Sequence, residues 1–470
     1  MSKPYPDDPY LTGNFAPVGF EADAHDVPLQ GEFPDALDGT LYRNGPNPQF
    51  APRERYHWFL GDGMIHAFRV AGGKVSYRNR FVRTPRFELE RGAGRALFGA
   101  FGNPMTTDPS AQGTDSGVAN TNIVSHAGRL FALEEAHHPF ELDPVTLAPK
   151  GYEHFGGKIT NRFTAHPKFD PETGEMIAFG YSANGFFTDD IGYCVFDREG
   201  RLSRADVFRA PYSSMIHDFM VTKHHVLFPV LPLTGSMSRA MSGKPAYAWE
   251  PDKGSHIGVL DRREPNGRIR WFQGPPSYVF HPMNAWEEDG RIIAHVMRYA
   301  AAPLFPNADG SRGDDKLAVA SLWRWTFDLK GDRDTYTEEP LDDLLGEFPR
   351  FDERRSGLPY RHGYYAFYEP ARRAATGSFT GLAHLDLQTG SRRLWRTPDG
   401  DAVSEPVFVP RSADAPEGDG FLLAVAFRGA TRTSDLLCFD TAAIDKGPIG
   451  TAMLSSRMPY GFHGNWVARN

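Results

Sequence analysis

A chain of 470 residues with 40% hydrophobic and 13% aromatic side chains can bury a large core, which excludes a disordered class. Its net charge of −8 excludes nucleic acid as the main partner, because binding phosphates needs a basic surface. Only two cysteines are present, Cys194 and Cys438, both inside apolar runs, so a thiolate metal site is excluded and both read as small buried side chains in a reducing compartment.

The N-terminal segment Met1-Ser2-Lys3-Pro4-Tyr5-Pro6-Asp7-Asp8 lacks the apolar centre of a signal peptide. No window approaches the roughly 18 consecutive apolar residues of a membrane-crossing helix, so a cytoplasmic protein is expected. Next, Gly45-Pro46-Asn47-Pro48 and Gly61-Asp62-Gly63-Met64 read as tight turns. Helical periodicity is scarce; residues 96–101, an apolar insertion, and residues 236–241 are the candidates, placed in long loops on one face of the fold. Beyond these the chain is punctuated by 48 Gly and 38 Pro, as expected for many short strands.

A short apolar strand ending in Asp recurs along the chain. It appears as Phe140-Glu141-Leu142-Asp143, Tyr193-Cys194-Val195-Phe196-Asp197 and Ile257-Gly258-Val259-Leu260-Asp261, then as Trp325-Thr326-Phe327-Asp328, Ala383-His384-Leu385-Asp386 and Leu436-Leu437-Cys438-Phe439-Asp440. The Asp residues are 54 to 67 positions apart, and a degenerate copy at His66-Ala67-Phe68-Arg69-Val70 precedes them. Each Asp reads as a turn former whose side chain accepts from backbone amides. Seven units of roughly 60 residues each match the size of a four-stranded blade with long loops. The expected fold is an all-β, seven-bladed β-propeller forming one domain over residues 1–470, with long loops and short helices capping one face.

Each Asp is followed at a nearly constant interval by a His or a Glu. His166, His217, His281 and His463 follow their Asp by 23, 20, 20 and 23 residues, and Glu347 and Glu405 follow theirs by 19. A lone His in an apolar run, such as His281 in Tyr278-Val279-Phe280-His281-Pro282, is more often a core residue than a ligand. Equivalent positions of successive blades, however, are related by rotation about one axis, so four imidazoles at one phase point to a shared central site. Neutral imidazoles suit iron, zinc, copper or nickel, and not the oxygen-seeking Ca²⁺ or Mg²⁺. Glu347 and Glu405 suit carboxylates that accept the other ring proton of a metal-bound His, with an ordinary salt bridge as the alternative for each. His137-His138 and His224-His225 are out of phase and read as surface or loop residues. No Gly-rich phosphate loop follows a strand, and no Ser sits in a nucleophile elbow.

The chain resembles the carotenoid cleavage oxygenase family over nearly its whole length. The resemblance is carried by Tyr42-Arg43-Asn44-Gly45-Pro46-Asn47-Pro48, Gly61-Asp62-Gly63-Met64-Ile65-His66, Thr164-Ala165-His166-Pro167, His217-Asp218-Phe219, Phe280-His281, Glu347-Phe348-Pro349, Ser404-Glu405-Pro406-Val407-Phe408-Val409-Pro410 and Phe462-His463-Gly464. It implies iron(II) held by His166, His217, His281 and His463, with Glu135, Glu347 and Glu405 orienting three of them. It also implies O₂-dependent cleavage of a conjugated C=C bond in an apolar small molecule, an apocarotenoid or a stilbene-type aryl alkene. Tyr247-Ala248-Trp249-Glu250-Pro251 and Asn284-Ala285-Trp286-Glu287 resemble the bacterial branch that cleaves stilbenes and phenylpropanoids. That branch places a substrate-binding Lys where this chain has Glu134, and an assisting Tyr where it has Phe101. Phe59, Phe101, Phe280 and Glu134 are the expected substrate-binding residues. Two other readings stand beside this one: a retinoid-type isomerohydrolase, and a non-catalytic scaffold, which the missing Trp-Asp repeat signature disfavours. The insertion at 96–101 is apolar enough either for weak peripheral membrane contact or for capping a substrate tunnel.

Overall fold

The computed structural model describes residues 4–159, 162–264, 267–372 and 379–469. Residues 1–3, which open the segment read above for a leader, lie outside them. The described strands form seven antiparallel sheets of four to six strands and one two-stranded hairpin, the blades of an all-β, seven-bladed propeller.

The repeated Asp marks the same place in six of the seven blades. Phe140–Leu142, Asp190–Phe196, Ser255–Asp261, Ala320–Asp328, Gly381–Asp386 and Thr433–Asp440 are each a third strand, as is the degenerate copy Gly63–Ala71. All six Asp side chains accept from backbone N–H groups two to four residues ahead, at 2.7 to 3.1 Å. These bonds close the turn into the outer strand. Middle strands such as Met176–Tyr181 are buried throughout because both faces are covered, whereas the outer strand Leu202–Arg209 alternates between half-buried and exposed.

Two compact units are present, residues 1–153 with 361–470, and residues 154–360. In the first, Gly464–Ala468 pairs with Gly39–Pro46, with Arg43 opposite Gly464, so strands from opposite ends of the sequence share one sheet. Leu41, Phe68 and Val70 pack on one side of that sheet with Phe421, Leu423 and Leu436, while Tyr42, Ile65 and Ala67 pack on the other with Ile123, Leu130 and Phe140. In the second unit, Tyr278–Glu288 is the first strand of its sheet, and its register with Arg291–Tyr299 shifts on either side of Pro282. Proline brings no N–H to a ladder and is tolerated on such an edge; the bulge it makes re-aims the neighbouring side chains, His281 among them.

Three local expectations are corrected. Gly45 and Pro46 end the strand Gly39–Pro46, and Gly63 begins Gly63–Ala71, so only the residues between them turn. Residues 96–101 are not helical. The helix lies upstream at Pro85–Ala93, with Thr84 accepting from the Phe87 N–H, proline in its first turn, and Gly94 ending it at φ 65°. Its Glu90 accepts the N–H groups of Leu97 and Phe98 at 2.7 and 3.0 Å, and both apolar side chains are buried with Ala111. The second candidate does form a helix, Met237–Met241, with Ser236 as its cap. Cys194 and Cys438 are buried, and burial pushes both thiols up, Cys438 to about 12. No helix among the described residues is long and apolar enough to cross a membrane.

Candidate metal centre

Every residue at the recurring phase falls on or beside the first strand of a blade. His166 and His217 precede Lys168–Phe169 and Met220–Val221, and His281 and Glu347 lie within Tyr278–Glu288 and Gly346–Phe351. Glu405 stands between Ala402–Val403 and Val407–Pro410, and His463 directly precedes Gly464–Ala468. All four histidines are buried, and their candidate ligand nitrogens lie within 4.8 Å of one another.

The donor set fits a divalent transition metal. His166 and His217 bring their Nε2 atoms to 3.1 Å, and His217 and His281 bring theirs to 3.2 Å. Nitrogens bound at right angles to one cation by bonds of about 2.1 Å stand about 3.0 Å apart, against about 3.4 Å at the tetrahedral angle. The observed separations lie in the range expected of imidazoles that could share one divalent cation. His281 Nδ1 lies 2.6 Å from Glu347 Oε2, and His463 Nδ1 lies 2.9 Å from Glu405 Oε1. Each carboxylate accepts an Nδ1–H, which fixes the tautomer with a bare lone pair on Nε2.

The two carboxylates are themselves held, in different ways. Glu347 Oε1 accepts from the Tyr299 hydroxyl at 3.2 Å, and Oε2 also accepts the Phe348 N–H. Phe348 has φ 56°, in the left-handed region that side chains normally avoid, and its ring stacks on His281 with centroids 5.3 Å apart. Glu405 Oε2 accepts the Gly464 N–H at 2.9 Å and lies 3.2 Å from the Arg43 guanidinium. Sequence reasoning missed Arg43, Tyr299 and Phe348 as parts of this centre. For Arg43 a signal existed: a lone cation inside the apolar strand Leu41-Tyr42-Arg43. For Phe348 nothing in the sequence announces a positive φ.

Of the expected substrate-binding residues, Phe280 packs edge-on against His217, with centroids 4.8 Å apart. Phe59 and Phe101 meet at 5.9 Å, and Phe59 also packs against Phe462, the residue before His463, at 5.5 Å. Trp58 lies 4.4 Å from Phe462, and His57 stacks on Phe101 at the same distance. Burial lowers the His57 imidazole to about 4, so the ring is neutral at pH 7. The result is an aromatic wall directly beside His463. Glu134 accepts the Val118 N–H at 2.9 Å and lies 2.8 Å from His137 Nδ1. Burial alone would raise its carboxyl, but His137 and the backbone donors outweigh that and hold it lowered. Glu135 is half-buried just after Arg129–Leu133. His224 lies in a bend, as expected, whereas His225 opens the strand His225–Val230; their Nδ1 atoms lie 2.6 and 2.8 Å from the two oxygens of Glu287.

Comparison with known proteins agrees over the whole chain. The family described as "Retinal pigment epithelial membrane protein" matches residues 15–468. The chain is 41% identical to isoeugenol monooxygenase of Pseudomonas putida, over 98% of each chain. It superimposes on the crystal structure of Pseudomonas brassicacearum lignostilbene dioxygenase with a TM-score of 0.95 and 37% identity, covering all of both chains. It also matches cobalt-substituted Synechocystis ACO, with a TM-score of 0.82 and 29% identity over 96% of each chain.

Proposed function

Because the chain belongs to the retinal pigment epithelial membrane protein family, whose members include carotenoid-cleavage oxygenases, we propose that it is an iron(II) dioxygenase splitting the conjugated C=C bond of an aryl alkene. One carbonyl product forms on each side, and each takes one atom of O₂, so the reaction balances without a further co-reactant. The observation that carries this reading is the buried group of four imidazoles. In it, His166, His217, His281 and His463 hold the metal, and Glu135, Glu347 and Glu405 orient three of them. Bound there, iron(II) supplies the redox chemistry that lets O₂ react with an alkene.

The protein's own residues do the rest. Four neutral ligands leave the 2+ charge uncompensated, and the carboxylates behind them offset it without occupying a coordination position. Phe59, Phe101 and Phe462, packed edge-to-face, offer an apolar aromatic surface beside His463 on which a planar arene can pack; Phe280 shields His217 from water. An aryl alkene is favoured over a long apocarotenoid by the relatives named for isoeugenol and lignostilbene. Glu134 already engages Val118 and His137, and Phe101 carries no hydroxyl, so neither supplies a cation or a donor for a phenolate. The substrate is therefore recognised by stacking more than by its ring oxygen. The buried thiols of Cys194 and Cys438 are consistent with a cytoplasmic protein. Weak peripheral membrane contact through the insertion at 96–101 is disfavoured, because Leu97 and Phe98 are buried.

The test is an aerobic screen of iron-loaded protein against stilbenes, propenylphenols and apocarotenals under ¹⁸O₂. The proposal expects two aldehydes, each with one ¹⁸O, and no product without O₂. Product formed anaerobically from an ester would instead support isomerohydrolase chemistry.

A further inference from the structure

We propose that Arg43 is a positioning residue of the metal centre, acting on His463 through Glu405. The inference rests on the metal reading above and extends it to a residue with no direct place at the ligand atoms.

Arg43 is fully buried in Gly39–Pro46, and its guanidinium converges on the segments either side of His463. Nη1 lies 3.2 Å from the Glu405 carboxylate and 3.2 Å from the Glu405 carbonyl, while Nη2 donates to the Phe462 carbonyl at 3.0 Å. One planar fork thus fixes both the carboxylate that accepts the His463 Nδ1–H and the peptide that delivers His463. Lysine, with its point charge, cannot reproduce that fork. Room for the side chain is built in: a Cβ on Gly464 would fall 2.5 Å from Arg43 Cδ.

The arrangement also makes the two carboxylates unequal. Glu347 is steadied by a hydroxyl and a backbone N–H, whereas Glu405 shares its charge with a guanidinium. The two rings are thus held by different means, and of the two only His463 depends on a guanidinium for the placement of its acceptor.

Co(II) binding measures this directly, by chelator competition for affinity and by the visible ligand-field spectrum for geometry. Arg43→Met is expected to bind Co(II) roughly 10- to 100-fold more weakly, the usual cost of losing a partner behind a ligand, with a shifted spectrum. Arg43→Lys should recover part of the affinity but not the wild-type spectrum. Because Arg43 reaches His463 chiefly through the Glu405 carboxylate, with the Phe462 carbonyl as a smaller second route, the double variant Arg43→Met/Glu405→Gln should lose clearly less than the product of the two single losses. That variant also removes both buried charges, so it provides the measurement should Arg43→Met fail to fold. Folded Arg43→Met with wild-type affinity and spectrum would overturn the proposal alone, as would losses that multiply in the double variant. Wild-type protein that binds no Co(II) would overturn the metal reading and this proposal together.

Discussion

Replacing Glu347 by Gln keeps the shape of the side chain and removes its charge. The amide oxygen can still accept the His281 Nδ1–H, now 2.6 Å from Oε2, and the Phe348 N–H, while the amide nitrogen faces the Tyr299 hydroxyl. What is lost is the charge assistance. Hydrogen bonds to a charged group contribute about 1.5–3 kcal/mol against about 0.5–1.5 kcal/mol for neutral ones. The difference, about 1–1.5 kcal/mol, weakens metal binding about tenfold. Glu347→Ala removes the acceptor for both N–H groups and should approach a hundredfold loss. Anaerobic Fe(II) titration against a chelator reads the affinities, with thermal midpoints as a control on folding. An affinity for Glu347→Gln within twofold of wild type would refute the idea that the carboxylate charge acts on the metal through His281.

Two further outcomes follow from the same reasoning. Asp62 is fully buried, and burial raises its carboxyl to about 6 despite Arg86, against about 3.9 in an unfolded chain. The folded state therefore holds this proton more tightly, and its contribution, full at pH below about 4, is lost as pH rises through about 6. Asp62→Asn should raise the thermal midpoint relative to wild type at pH 7–8, equivalent to about 2–3 kcal/mol, with the gap closing below about pH 4; a pH-independent gap would contradict this. For specificity, wild type should turn over 4-hydroxy and 4-methoxy stilbenes with similar kcat/KM, whereas Phe101→Tyr/Glu134→Lys should favour the 4-hydroxy compound about tenfold or more; competition assays on the mixed substrates measure the ratio.

The blade count and the clustering of the four histidines were legible because symmetry writes them into sequence. Asp143, Asp197, Asp261, Asp328, Asp386 and Asp440 all close the same turn, so their spacing measures one blade, and the His or Glu that follows each must reach the first strand of the next. Glu135 breaks that phase because it follows a second strand, and only the resemblance pointed to it. Gly45 and Pro46 looked like a turn and end a strand instead, because tertiary pairing with Gly63 and Met64 overrides the local signal. The helix Pro85–Ala93 has a mixed polar sequence with no clear apolar stripe, and only its Thr84-Pro85 start and Gly94 stop announce it. Arg43 illustrates a deeper limit. Its partners, Glu405 and Phe462, are more than 350 residues away in sequence, and no local pattern reports a contact of that range.

The central claim is that His166, His217, His281 and His463 form one metal centre on which alkene cleavage depends. Anaerobic titration of the purified protein with Fe(II), followed by metal analysis of the wild type and of His281→Ala, tests it most directly. The account predicts one iron per chain in the wild type, and loss of both iron and aldehyde product in the folded variant. A wild type that takes up no stoichiometric iron, or a His281→Ala protein that keeps its iron and its activity, would contradict it.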